Sequence, residues 1–166
     1  MEGMVATGVH ILIGLALAVV VCRSERAEPY LVAALAAAGP DIDTFVFRPL
    51  IQLGYVSGPL WSHRGLTHSL VGGVVVIVLL SSVGPWRVAA IGFGSHVGFD
   101  MLTGGARLFV PVDPTLYGTS VDWLLLNMLA SVVAVTLILG GLLGMKYDLE
   151  GPIDMPTPKR TLERFR

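Results

Sequence analysis

Charged residues are scarce in this chain, at 14% of its 166 positions, whereas an ordinary soluble domain carries about 25%. Cysteine is nearly absent, and the single Cys22 excludes an internal disulfide. The net charge is −1, so no excess of basic residues predicts a nucleic-acid partner. What the chain has instead is apolar: 54% of its residues are hydrophobic and its mean hydropathy is +0.75. These proportions exclude a disordered chain and predict a single-domain protein that crosses the lipid bilayer several times.

The apolar residues form runs separated by charged or proline-containing loops, at residues 4–22, 30–39, 69–84, 86–104 and 121–145. The first run has neither a basic start nor a cleavage site, so we expect a retained helix rather than a signal peptide. The second run is too short to cross alone, and it either continues irregularly through residues 45–58 or spans half the bilayer. The predicted fold is an all-α, polytopic transmembrane helical bundle of four to five membrane segments. Residues 1–145 are expected to form the membrane-embedded domain and residues 146–166 a flexible cytosolic tail.

The basic residues predict the orientation of the bundle. If the N-terminus lies outside, eight of the eleven lysines and arginines fall in cytoplasmic loops and the tail, as the positive-inside rule requires. Only Arg48, Arg64 and Arg107 then lie on the outer side. We therefore predict a multi-pass protein of the plasma (inner) membrane, with its N-terminus outside and its C-terminus in the cytoplasm.

All four histidines and three aspartates fall near the ends of apolar runs that this topology brings to the outer face: His10, Asp41, Asp43, His63, His68, His96 and Asp100. His96 and Asp100 are four residues apart and share one face of a helix. A mixture of imidazole and carboxylate suits Zn²⁺, Mn²⁺ or Fe²⁺ better than Ca²⁺ or Mg²⁺. Seven candidates exceed the three or four ligands that one catalytic ion takes from a protein. The sequence therefore predicts a centre of one to two or more divalent ions, with zinc preferred.

Each motif also has a purely structural interpretation. His10 could hydrogen-bond between helices, the paired aspartates could be turn formers, and His96 with Asp100 could form an internal ion pair. Thr67 and Ser69 could simply cap the third helix. The joint pattern favours a metal centre, because every histidine is predicted at the same membrane depth and a buried ionisable group needs a partner.

The motifs, taken in order, resemble the YdjM-type inner-membrane metal-dependent hydrolases over residues 7–111. They are Thr7-x-x-His10-x-x-x-Gly14, Pro40-Asp41-Ile42-Asp43, His63-Arg64-Gly65-Leu66-Thr67-His68-Ser69 and Ser95-His96-x-x-x-Asp100-x-Leu102-Thr103, followed by Pro111. That family is distantly similar to zinc-dependent phospholipase C and P1 nuclease, which implies a helical bundle around a cluster of metals. The resemblance implies that the seven histidines and aspartates named above are the metal-ligand candidates.

The resemblance and the residues together predict a membrane-embedded metal-dependent hydrolase that cleaves a phosphoester, in a phospholipid-like substrate, with metal-activated water. The residues expected to hold the metal are His10, Asp41, His68, His96 and Asp100. Asp43 is expected to bridge two ions or to act as a base, and His63 to be a weaker ligand or the acid for the leaving group. Arg64 is expected to bind an anionic oxygen of the substrate.

Two alternatives come from other functional classes. In a transporter of metal ions or protons, the same histidines and aspartates would form a relay. In a non-catalytic membrane scaffold, they would hold a structural metal. A transporter is less favoured, because the polar residues gather at one depth and the last apolar run carries no buried charge that would continue a path.

Overall fold

The computed structural model describes residues 6–147, which form α-helices and two single-turn 3-10 helices without any β-strand. The α-helices are α1 (Thr7–Cys22), α2 (Glu28–Ala38), α3 (Ile42–Gln52), α4 (Leu70–Leu80), α5 (Trp86–Leu102) and α6 (Trp123–Lys146). Two isolated antiparallel bridges, Thr103–Ser120 and Ala106–Tyr117, fasten the loop between α5 and α6. The prediction of an all-α fold is confirmed. The predicted tail at residues 146–166 lies, beyond Tyr147, outside the described residues.

The second apolar run differs most from its prediction. A 3-10 turn, Gly39–Asp41, follows α2 and leads directly into α3, where the sequence predicted irregular backbone or a half-span. Proline lacks an N–H donor and crowds the preceding turn. The chain therefore tightens at Pro40 into a 3-10 turn and then continues as a helix. Asp41 ends this turn, and Asp43 lies in the first turn of α3.

The helix starts around the site have identifiable causes. The Ser69 hydroxyl accepts the backbone N–H of Gly72 at 3.1 Å and caps α4, as predicted. The carboxylate of Asp122 accepts the N–H of Leu125 at 2.7 Å and caps α6. These caps fix the points at which two apolar helices leave the polar end of the bundle.

Small residues bring the helices close together. α1 packs against α2, α5 and α6, and α2 packs against α5. A Cβ atom built on Gly92 in α5 would lie 2.5 Å from the carbonyl oxygen of Ala33 in α2, and one on Gly14 would lie 2.8 Å from the Cβ of Ala37. Only glycine fits at such crossings, as is typical of helices that associate in a membrane. This tight packing holds the ends of α1, α2 and α5 in register.

The outer surface of the bundle is apolar. Two helical stretches among the described residues are long and apolar enough to cross a membrane, Glu28–Gln52 and Trp123–Lys146. On α6 the side chains of Leu125, Met128 and Val132 are more than half exposed, and such a continuous apolar face requires lipid or another apolar partner. The apolar helices α1 and α4 are shorter, so the number of four to five membrane segments stays a prediction.

Candidate metal centre

The polar residues singled out in the sequence meet at one end of the bundle. His10 comes from the first turns of α1, and Asp41 and Asp43 from the junction of α2 and α3. His63 and His68 lie in the segment before α4, and His96 and Asp100 lie in the last turns of α5. Four separate parts of the chain therefore supply one cluster.

Three overlapping groups in this cluster could each hold a metal ion, because their ligand atoms all lie within 4.8 Å of one another. The groups are His10 with Asp41 and His96, Asp41 with His63 and His68, and His68 with His96 and Asp100. Six of the seven predicted ligands take part, and Asp41, His68 and His96 are each shared by two groups. Shared residues of this kind are what a centre of more than one ion needs.

The cluster is buried. His10, His68, His96 and Asp100 each expose no more than 2% of their surface. Charged or hydrogen-bonding atoms cost free energy in such a place unless they find partners. Two of these atoms, Nδ1 of His10 and Oδ2 of Asp100, accept or donate no hydrogen bond. A donor set that is buried, rich in lone pairs and incompletely satisfied fits a divalent cation.

The orientation of His96 shows where its lone pair points. Its Nδ1 lies 2.6 Å from the carbonyl oxygen of Ala37, and a carbonyl can only accept, so Nδ1 carries the hydrogen. The Nε2 lone pair then faces Nε2 of His68 at 3.1 Å and Oδ2 of Asp100 at 3.5 Å. Oδ1 of Asp41 lies 3.6 Å from the same nitrogen. This one nitrogen thus lies within 3.6 Å of three other candidate ligand atoms, as a nitrogen in a metal-binding cluster would.

Asp43, the seventh predicted ligand, lies outside the three groups. Its Oδ1 lies 2.9 Å from Nδ1 of His63, and its Oδ2 accepts the Thr67 hydroxyl at 3.0 Å. Thr67 in turn lies 3.0 Å from Nδ1 of His68. One carboxylate therefore contacts the Nδ1 side of His63 directly and that of His68 through a hydroxyl. This is the position of a residue that orients ligands through their far nitrogen, and at His68 it leaves Nε2 facing His96 and Asp100.

Two threonines have partners that sequence analysis did not assign. Thr67, expected as a helix cap, instead contacts Asp43 and His68. Thr7 donates its hydroxyl to Oδ2 of Asp41 at 2.5 Å, which leaves Oδ1 of that carboxylate for the cluster. The available signal was position: both threonines lie within the quoted motifs, one beside His68 and one a helical turn before His10.

Arg64 is held by the cluster itself. Its Nη2 donates to Oδ1 of Asp100 at 3.0 Å, and its Nη1 donates to the carbonyl oxygen of Thr103 at 3.2 Å. The backbone of Arg64 has a φ of 62°, a left-handed conformation that costs a non-glycine residue about 1–3 kcal/mol. The backbone N–H of Arg64 donates to Asp43 at 3.3 Å, which helps to hold this conformation. In the structure the guanidinium pairs with Asp100, and its predicted role of binding an anionic oxygen of the substrate stays a prediction.

Burial and charge act differently on the two loop histidines. Burial lowers the pKa of His68, which favours the neutral imidazole that binds metals. At His63 burial also disfavours the charged form, but the hydrogen bond and the negative charge of Asp43 outweigh it, so the pKa of His63 is raised. The His63 side chain is 29% exposed, and it is the member of the cluster that faces the adjoining cavity.

The chain belongs to the YdjM inner membrane protein family, whose model matches residues 4–153. This membership and the two long apolar helices identify a membrane protein. No curated protein and no solved structure matches the chain. The distant similarity to phospholipase C and P1 nuclease therefore stays a prediction from the sequence.

Proposed function

We propose that this protein is a membrane-embedded, metal-dependent hydrolase that cleaves phosphoesters in phospholipid-like substrates. The observation that carries the proposal is the convergence of buried imidazole and carboxylate lone pairs in three overlapping groups at one end of the bundle. Each buried ionisable group costs free energy in a membrane, so a cluster of them in an apolar chain indicates a functional site.

The residues that would hold the ions are the six members of the three groups: His10, Asp41, His63, His68, His96 and Asp100. Nitrogen and carboxylate ligands favour zinc, with manganese or iron as alternatives. A divalent cation bound there would lower the pKa of water and polarise a phosphoryl oxygen. Shared ligands between the groups favour more than one ion.

The remaining polar residues prepare this donor set. Asp43 and Thr67 hold His63 and His68 by their Nδ1 atoms, and Nε2 of His68 faces the cluster. The Thr7 hydroxyl donates to Oδ2 of Asp41 and so fixes this carboxylate. In this arrangement Asp43 acts as an orienting residue rather than as the bridging ligand or base that its sequence position predicted. His63, at the edge of the cavity, keeps both predicted roles, as a ligand or as the acid for the leaving group.

We further propose that the bundle is multi-pass, with the N-terminus outside, the C-terminus in the cytoplasm and the metal centre near the outer face. The support is that the helix ends carrying the cluster are alternate ends along the chain: the start of α1, the end of α2, the start of α4 and the end of α5. Consecutive antiparallel helices place these ends at one membrane level, and the basic residues favour the cytoplasm for the other level.

Metal content and phosphodiester hydrolysis test the proposal together. Wild-type protein purified in a mild detergent should retain at least one divalent ion per chain and hydrolyse bis(p-nitrophenyl) phosphate. His96→Ala should lose metal and activity, whereas Glu25→Gln, at an exposed loop acid, should keep both. Wild-type protein that holds no ion, even after incubation with Zn²⁺, Mn²⁺ or Fe²⁺, would contradict the proposal.

The alternative functions predict other outcomes of the same preparation. A transporter would carry metal ions or protons into liposomes, and His96→Ala would abolish that flux while wild-type protein showed no hydrolysis. A scaffold with a structural metal would bind ions without turnover, and His68→Ala would lower the temperature of unfolding. Hydrolysis that is lost in His96→Ala, together with no ion flux into liposomes, supports the enzyme.

A further inference from the structure

A cavity adjoins the candidate metal centre and shares His63 and Arg64 with it. Its volume is about 850 Å³, and its polar wall includes Ser62, Thr103 and Arg107. This volume is within the range of sites for small molecules and cofactors, about 300–1,000 Å³. The cavity therefore has room for a group that extends beyond the atoms placed at the metals.

Arg107 has an unusual environment for an arginine. Its Nη1 donates to the Ser62 hydroxyl at 3.2 Å, but among residues 6–147 no carboxylate forms an ion pair with it. Its Nε is buried and has no hydrogen-bond partner. The Nε of Arg64, which lines the same cavity, is also buried without a partner. Two arginines thus line one cavity, and neither guanidinium has all of its donors satisfied.

The backbone couples the two arginines, because the N–H of Arg107 donates to the carbonyl oxygen of Arg64 at 3.0 Å. The positive charge of Arg64 is largely used by Asp100, whereas that of Arg107 is not neutralised by an ion pair. Asp122 also lines the cavity, but its carboxylate accepts the backbone N–H of Leu125 as the cap of α6. A guanidinium that lines a cavity without a counter-ion among the described residues favours an anion there, which it would bind with charge-assisted hydrogen bonds.

Part of the cavity lining is apolar. Leu116, Val121 and Trp123 line it, and each remains between 43% and 47% exposed. Trp123 begins α6, a helix long and apolar enough to span the membrane. A molecule that enters this cavity therefore meets both arginine side chains and an apolar surface that continues along α6.

We propose that this cavity is a subsite for an anionic amphiphile, in which Arg107 holds a phosphate-type oxygen and the apolar wall takes the start of an alkyl chain. The claim that this amphiphile is the substrate of the hydrolase rests on the proposed function. The claim that the cavity binds it depends only on Arg107 and the cavity. The chemistry that Arg107 recognises is shared by a lipid phosphate and by free phosphate, and the apolar wall favours the lipid.

Binding of n-dodecyl phosphate to the purified full-length chain tests the subsite, with the fluorescence of Trp123 as the reporter. The titration is made before and after dialysis against a chelator, so that binding to metal is separated from binding to Arg107. We expect saturable binding that persists after chelation. The dissociation constant should rise about tenfold in Arg107→Gln, which loses the charge-assisted bond. Inorganic phosphate should compete only at higher concentration.

Matched variants protect this result from a folding artefact. Arg107→Lys keeps the charge and should bind more tightly than Arg107→Gln, and Arg87→Gln, at an exposed arginine near the start of α5, should bind like wild type. Trp123→Phe should remove the fluorescence change. Equal binding by wild type and a folded Arg107→Gln would overturn the subsite. Equal affinity for inorganic and dodecyl phosphate would overturn the amphiphile as ligand.

Failure of the subsite and failure of the hydrolase give different results. Loss of Arg107-dependent binding in a protein that still holds metal and hydrolyses a phosphodiester would refute the subsite alone. Arg107-dependent binding in a protein that takes up no metal would refute the hydrolase and leave an anion-binding membrane protein.

Discussion

Replacing Asp43 with asparagine tests whether this carboxylate orients the candidate ligands or is itself one of them. Asp43 contacts His63, Thr67 and the backbone N–H of Arg64 at 2.9–3.3 Å, and its exposed fraction is 2%. Asparagine has nearly the same shape, but it keeps one acceptor oxygen and turns an NH₂ donor toward the other partners. The substitution therefore removes the charge and forces one donor to face another.

The size of the effect follows from the role. Loss of a partner that orients metal-binding histidines typically costs 10–100-fold in metal affinity, which is about 1.4–2.8 kcal/mol. We expect a loss in this range for Asp43→Asn, because two histidines depend on the carboxylate, one directly and one through Thr67. Thr67→Val removes only the hydroxyl that joins Asp43 to His68, so it should cost less than Asp43→Asn.

The assay is a competition titration of Zn²⁺ between the detergent-solubilised protein and a chromophoric chelator. It gives both the affinity and the number of ions bound at saturation. Asp43→Asn should weaken the affinity and leave the number of ions unchanged. Unchanged affinity would refute the orienting role, and the loss of one ion at saturation would show that Asp43 is a ligand, as its position in the sequence suggested.

Other perturbations probe the metal, the packing and the topology. Zn²⁺ at about 100 times its dissociation constant should stabilise the folded chain by about 2.7 kcal/mol, and a thermal shift that a chelator does not reverse would contradict this. In thermal unfolding, Gly92→Ala should lower the free energy of unfolding by about 1–3 kcal/mol, because its Cβ would meet a backbone carbonyl of α2. The control Gly94→Ala, where the Cβ meets nothing within 4 Å, should leave it unchanged. Ser69→Ala should cost about 1 kcal/mol through loss of the α4 cap, measured in the same way. A cysteine at Ser57 should react with an impermeant thiol reagent from outside the cell and one at Arg87 should not; the opposite pattern would invert the proposed orientation.

The membrane environment and the all-α fold could be predicted from the sequence because both follow from local composition. Long apolar runs specify helices in a solvent that cannot hydrogen-bond to the backbone, and the predicted ends of α5 and α6 fall within two residues of the structure. The junction at Pro40 was harder to predict. A proline disfavours a continuous helix, but neighbouring structure decides whether the chain becomes irregular or re-forms a helix, as it does in α3.

The membership of the polar cluster could also be predicted, since few ionisable residues are present in so apolar a chain and all four histidines fall near the ends of apolar runs. The roles within it could not. Asp41 and Asp43 are two residues apart and look equivalent in the sequence, yet only Asp41 belongs to the candidate metal groups. Asp41 ends the 3-10 turn whereas Asp43 lies in the first turn of α3, so the change from one helix type to the other decides which carboxylate faces the cluster.

By itself the sequence determined the kind of protein and the kind of ligands, because hydropathy and side-chain chemistry are properties of each residue and its near neighbours. Only the tertiary structure decided which distant residues are in contact. Arg64 pairs with Asp100, 36 positions away in the chain, and Ser62 meets Arg107 across 45 positions. Such contacts depend on how closely the small residues of α1, α2 and α5 let the helices approach. That approach places Arg64 against the candidate metal centre and leaves Arg107 in the lining of the adjoining cavity, without an ion pair among the described residues.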